Sequence, residues 1–142
     1  MSNTAIQLSP RLPSDIISSI KRLPSIEMQT QAFFNAAQSS GGSEYEIKLS
    51  WNGFRVHMNY ANELPFGQGT TTLKDFLILR DTYVPTQYRK RGWFTQYCVF
   101  CCQLAAQHFI IASELPTTLS LHLARHGFIA HLPDLYMLDD AY

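Results

Sequence analysis

The sequence has no excess of charge of either sign: eleven Lys and Arg balance eleven Asp and Glu, and charged residues make up only 15% of its 142 residues. A chain without a net field has no long-range attraction for nucleic acid or for an anionic membrane surface, so any anion site must be built locally. Cysteine is scarce as well. Cys98, Cys101 and Cys102 lie close together with no second cysteine group and no histidine cluster beside them. That pattern speaks against a metal site or a disulfide framework and for small buried hydrophobes in a reducing compartment.

Formal charge is missing altogether from Gly92 to Ser113. The gap is long enough to raise a membrane span, but Gln96, Gln103, Gln107 and His108 fall inside it and are costly in lipid. The opening MSNTAIQLSPRLP has neither the basic start nor the apolar run of a secretion signal, so the expected location is the cytoplasm. No repeat, low-complexity tract or linker divides the chain. With 46% apolar residues, its length suits one domain, 1–142, with a substantial core.

The pattern predicts an alternation of strands and helices. TAIQLS reads as a short first strand ended by Pro10 and Pro13, and Ser14 is placed to cap a helix towards Arg22. Pro24 stops that helix and Ser25 caps the next, IEMQTQAFFNAAQ, which ends at SSGG. Then two segments alternate strictly: Tyr45, Ile47 and Leu49 in one, Phe54, Val56, Met58 and Tyr60 in the other, with Asn52-Gly53 between them. That pair suits a type I′ hairpin turn, in which both central residues take positive φ. ANELPFGQG reads as a loop to a third strand of the hairpin region, Leu73–Val84, whose FLIL centre is apolar on both faces.

Trp93–His108 reads as a mostly buried helix with one glutamine stripe, followed by a strand in FIIAS. A strand, a helix and a strand in succession imply a right-handed crossover between parallel strands. TTLSLHLARH is a further helix stopped by Gly127, and FIAH and LYMLD are terminal strands around Pro133. The order is β-α-α-β-β-β-α-β-α-β-β. It predicts an α/β domain with a mixed central sheet and helices on both faces.

Between the FLIL strand and the uncharged helix lies VPTQYRKRGWF, which concentrates Arg89, Lys90 and Arg91 just before Gly92. Taken alone, it is either a solvated turn or an anion site. A helix start exposes unpaired N–H groups and the positive end of the helix dipole, Gly92 permits close backbone approach, and Arg89 and Arg91 can clamp a phosphate. Its position favours the anion, because open α/β sheets bind ligands at the carboxyl ends of parallel strands. Tyr88 and Trp93 among the cations also make a basic-aromatic patch, but zero net charge gives a nucleic-acid reading little support.

Val84, Pro85 and RKRGWF, with Arg89 and Gly92 in register, resemble the signature of the GNAT (Gcn5-related) N-acetyltransferase superfamily: a strand ending in Val, a Pro, then Arg/Gln-x-x-Gly-x-Gly/Ala opening a helix. The element order matches over nearly the whole chain, and Gly127-Phe128 supplies the family's late Gly-Phe. The resemblance implies an acetyl-CoA-dependent N-acetyltransferase with a small-molecule or protein amine as acceptor and no metal. Tyr83 and Val84 would offer backbone hydrogen bonds to the pantetheine arm, and Arg89, Lys90, Arg91, Gly92, Trp93 and Phe94 would surround the pyrophosphate. Trp93 also reads as a core residue, and Phe94 stands where the family has a small one.

For the chemistry, the family polarises the thioester carbonyl with a backbone amide near the strand splay, here near Val84, and often uses a carboxylate as base. Asp81 and Glu114 are the candidates, although each also reads as an ordinary strand-end carboxylate. The family's acid, a Tyr four residues before the Gly of Gly-Phe, is Leu123 here, Pro116 replaces the usual Asn, and Ser120 is the nearest hydroxyl. His122 and His126 turn away from Leu123 by helical spacing and read as surface residues. The alternative is a catalytically weak or silent module that binds CoA or a protein partner. Glu63 is a candidate to attract a cationic acceptor, and sheet edges near the C-terminus suit a homodimer.

Overall fold

A computed structural model describes residues 11–66, 71–106, 108–113, 115, 121, 123–132 and 135–138. The expected first strand, Glu114, Pro116, Ser120, His122 and half of the expected fourth helix lie outside the described residues. Among the described residues the elements are α1 (Ser14–Lys21), α2 (Ile26–Ser40), β1 (Glu44–Trp51), β2 (Phe54–Phe66), β3 (Thr71–Tyr83), α3 (Trp93–Leu104), β4 (Phe109–Ile111), β5 (Phe128–Leu132) and β6 (Leu135–Leu138). They form a mixed α/β fold around one sheet of order β1-β2-β3-β4-β6-β5.

Local chemistry explains most of these elements. Asn52 and Gly53 take φ of 50° and 86°, which joins β1 to β2 through the expected tight turn, with Ile47 opposite Met58 and Leu49 opposite Val56. The hydroxyl of Ser25 accepts from the Met28 amide and caps α2. Ser14 does not cap α1; it is the first helical residue, and Pro13, with no side-chain hydrogen bond, precedes it. Pro at such an entry is tolerated because its missing N–H would have no partner.

Two boundaries differ from expectation. ANELPFGQG is not all loop, because β2 continues to Phe66 and Pro65 pairs with Thr72 of β3. Beyond Ala61 no β1 residue lies across from β2, so among the described residues this stretch is an edge, where proline is tolerated. Helix α3 ends at Leu104, short of His108, through Ala105 and a left-handed Ala106 (φ 52°). His108 is held outside the helix by a hydrogen bond between its Nδ1 and the Lys74 carbonyl (2.6 Å) and by stacking on Phe76.

The main core lies on one face of the sheet. Ile47, Val56, Met58, Tyr60, Leu77, Leu79, Phe109 and Ile111 share that face by register, and α1, α2 and α3 pack against it. Phe34 of α2 meets Tyr60 edge-on, and the hydroxyls of Thr30 in α2 and Tyr97 in α3 lie 2.7 Å apart. Thr30 donates its proton to the Ile26 carbonyl, so Tyr97 is the donor in that pair. All three of these helices therefore cover the same face; the expected helix at 117–126 lies in half of its length outside the described residues. On the opposite face Ala61, Phe76, Ile78 and Ile110 form a smaller buried cluster.

The centre of the sheet positions the candidate site. β3 and β4 pair in parallel as expected, Leu77 with Phe109 through Leu79 with Ile111, and the Ala112 amide donates to the Leu79 carbonyl (2.8 Å). Beyond that bond β4 stops while β3 continues to Tyr83, so their pairing ends there. At the same level β3 carries a bulge: Met58 pairs with Leu79 but His57 with Asp81, leaving Arg80 as the extra residue.

Candidate functional site

Where β3 and β4 part, a cleft of about 980 Å³ opens. Leu79, Ile111 and Leu115 give it an apolar wall, and Asp81, Thr82, Tyr83 and Val84 line the β3 side. Arg89, Lys90, Gly92, Trp93 and Phe94 close the end at the start of α3. Eight of the eleven residues expected at the site thus meet in one cleft. Arg91 is exposed in the same turn but is not among the lining residues, and Glu114 and Ser120 are outside the described residues.

The corner between β3 and α3 is held in an unusual backbone shape. Thr86–Tyr88 form one turn of 3₁₀ helix, Lys90 has φ 63°, and Gly92 has φ 82° as the residue before α3. The Tyr88 and Arg89 amides bond back to Pro85 and Thr86, and the next amide with a backbone acceptor is that of Gln96, to Gly92 (3.0 Å). The amides of Lys90 to Thr95 therefore have no acceptor among the described residues. A run of unpaired N–H groups at left-handed positions and a helix start is a concave donor array suited to an anion. A Cβ added at Gly92 would meet nothing within 4 Å, so the space beside this backbone is open.

The cations around the array are uncompensated. Among the described residues the ion pairs are His57 with Glu46 and Lys74 with Glu63 (3.7 Å), and neither involves Arg55, Arg89, Lys90 or Arg91. Arg89 is oriented by two contacts: Nε donates to the Val84 carbonyl (2.6 Å), and its guanidinium carbon lies 5.1 Å from the centre of the Tyr83 ring. One hydrogen-bonding group of Val84 is thereby used. Its amide makes no backbone bond among the described residues and remains a donor at the splay.

Asp81 is exposed, and one carboxylate oxygen accepts from the Thr82 amide (2.9 Å). The bulge turns Asp81 to the side of the sheet that carries Arg80, which donates to Asn59, and His57, which bonds Glu46. Thr82 Oγ1 is buried on the cleft wall with no partner among the described residues. Leu123 is fully buried in the core. His126 is exposed and lines the cleft, which spacing along its helix did not indicate.

The sequence also gave no sign of what braces the corner. Phe54 packs its ring against Tyr88 (5.2 Å) and Trp93 (4.7 Å), and a Cβ at Gly53 would meet the Pro85 ring at 3.1 Å. The tip of the first hairpin is thus the support of the basic turn. Trp93 is half-buried, packs between Phe54 and Tyr97 beside the core, and also lines the cleft.

The three cysteines are free and buried along α3, and burial pushes their thiols up, that of Cys102 to about 11. Inert packing follows, since the thiolate is the reactive form. Among the described residues no three His, Cys, Asp or Glu side chains gather as metal ligands, and no helix is long and apolar enough to cross a membrane. Compared with known proteins, the chain matches no family model and no curated sequence.

Proposed function

We propose that the cleft binds acetyl-CoA through its diphosphate and that the domain is a GNAT-type N-acetyltransferase acting on an amine. The observation that carries this reading is the run of six amides, Lys90 to Thr95, and the cations beside them, which have no acceptor or counter-ion among the described residues, at the end of a cleft with an apolar wall. Such an array recognises a diphosphate at the helix start, and the splay leaves an apolar channel for an extended thiol arm.

When bound, the thioester supplies an activated acetyl carbon: the amine nitrogen bonds to it, the C–S bond breaks, and the thiol sulfur leaves with the electron pair. The chain's own groups do the rest. The Val84 amide is placed to donate to the thioester carbonyl oxygen, where a preorganised N–H is worth most. Asp81 is the carboxylate on the cleft wall available to take the proton that the amine must lose. His126 is the imidazole on that wall, able to return a proton to the departing sulfur.

A second reading has one observation in its favour. Leu123, at the position where the resemblance expects a tyrosine, is fully buried and offers no proton. On that ground the domain is a CoA-binding module with little turnover. Thiol release from acetyl-CoA, measured over a panel of amines with wild type, Asp81→Asn and His126→Ala, separates the two. Turnover that falls in both variants supports the enzyme; binding without turnover on any acceptor supports the module.

A further inference from the structure

Two guanidinium groups, one from β2 and one from the basic turn, share one aromatic ring. Arg55 of β2 lies 4.3 Å and Arg89 of the basic turn 5.1 Å from the centre of Tyr83, which is 39% exposed. Arg55 pairs with Tyr83 in the β2–β3 ladder, on the face away from the helices, and is not among the residues lining the cleft. Tyr83 and Arg89 line the cleft, so the cluster adjoins the amide array, and Arg55 is its member outside the cleft.

As a purely structural contact this arrangement is poorly balanced. The ring is a neutral partner, and each guanidinium keeps N–H donors that it does not use. No carboxylate is in ion-pair reach of either among the described residues. A phosphomonoester carries close to two negative charges at neutral pH and three acceptor oxygens, which match two guanidinium forks.

We propose that Arg55 and Arg89 over Tyr83 form a second anion subsite, which takes a phosphomonoester on a ligand whose diphosphate lies on the Lys90–Thr95 amides. This rests on the diphosphate reading of the corner. Its consequence is a cofactor preference: CoA, with its 3′-phosphate, is bound more tightly than 3′-dephospho-CoA, and Arg55 is the residue that discriminates.

The test is a calorimetric titration of the full chain with CoA and with 3′-dephospho-CoA, for wild type, Arg55→Gln and Arg55→Lys. Wild type is expected to prefer CoA at least tenfold, with the ratio falling below twofold in Arg55→Gln through weaker CoA binding and lying between in Arg55→Lys. Because Arg55 is exposed, neither variant is expected to unfold, and circular dichroism checks this. Equal wild-type affinity for the two ligands, or a preference that survives in Arg55→Gln, overturns the second subsite while leaving the diphosphate site standing. Failure of wild type to bind either ligand removes the diphosphate site and this subsite with it.

Discussion

The rings of Phe54 and Trp93 lie 4.7 Å apart at 51°, which ties the tip of the first hairpin to the first residue of α3. The contact crosses nearly forty positions of sequence and fixes where the basic turn sits relative to β3. Phe54→Ala is therefore expected to do two things. Its ring is only half-buried, so stability should fall by about 2 kcal/mol, below the range for a fully buried Phe. Affinity for CoA should also fall, because the amides of the turn lose their backing. Urea unfolding and calorimetric titration measure the two effects separately, and unchanged affinity would show that the hairpin does not brace the site.

Gly92 provides a sharper test of the amide array. At φ 82° an alanine is strained by roughly 1–2 kcal/mol, yet its methyl would meet no protein atom within 4 Å. Gly92→Ala should thus stay folded with a modest loss of stability. Its CoA affinity should drop by at least tenfold, because the methyl enters the space where the ligand approaches the backbone. A variant that loses stability but binds CoA normally would place the diphosphate elsewhere.

The three basic residues of the turn are not equivalent. Arg89 and Lys90 line the cleft and Arg91 does not, so Arg89→Ala and Lys90→Ala should each weaken CoA binding by roughly 1–3 kcal/mol, and Arg91→Ala by less. All three side chains are exposed, and denaturation midpoints should hardly move. Arg89→Ala should show a further local effect, since it frees the Val84 carbonyl and uncovers Tyr83.

Much of this arrangement was legible in sequence, and what was not has a physical reason. The hairpin was legible because Asn52-Gly53 and strict alternation are local signals, and the β3–α3–β4 crossover because a buried strand, an uncharged helix and FIIAS follow one another. The Gly92 corner was legible from its own residues. The end of α3 was not, since Ala105 and Ala106 carry no terminator signature and the stop depends on His108 reaching Phe76 and Lys74. Nor was the role of Arg55 and Phe54. Alternation assigns each a face of β2, but only the pairing of β2 with β3 brings them to Tyr83 and Trp93. The insertion of β6 between β4 and β5 is likewise a property of the assembled sheet.

The buried thiols make alkaline stability a test of the core. Burial raises Cys98, Cys101 and Cys102, so the folded state keeps these protons above the ordinary thiol value of 9.0 while the unfolded chain releases them. Below about pH 9 the thiols are protonated in both states and contribute no pH dependence. Stability should fall as pH rises from about 9, and for Cys102 the fall should end near its folded value of about 11. Urea unfolding across that range should show a shallower decline for Cys102→Ala than for wild type. Identical slopes would mean that Cys102 is exposed to solvent.

The most direct measurement is the melting temperature of the full chain as acetyl-CoA is titrated in, for wild type and for the Arg89→Ala/Lys90→Ala double variant. A ligand at a hundredfold excess over its Kd adds about 2.7 kcal/mol to the stability of the state that binds it. Wild type should therefore melt several degrees higher, saturably, and the double variant should need far more ligand for the same rise. No shift in wild type, or an equal shift in both proteins, would contradict a diphosphate held at the start of α3.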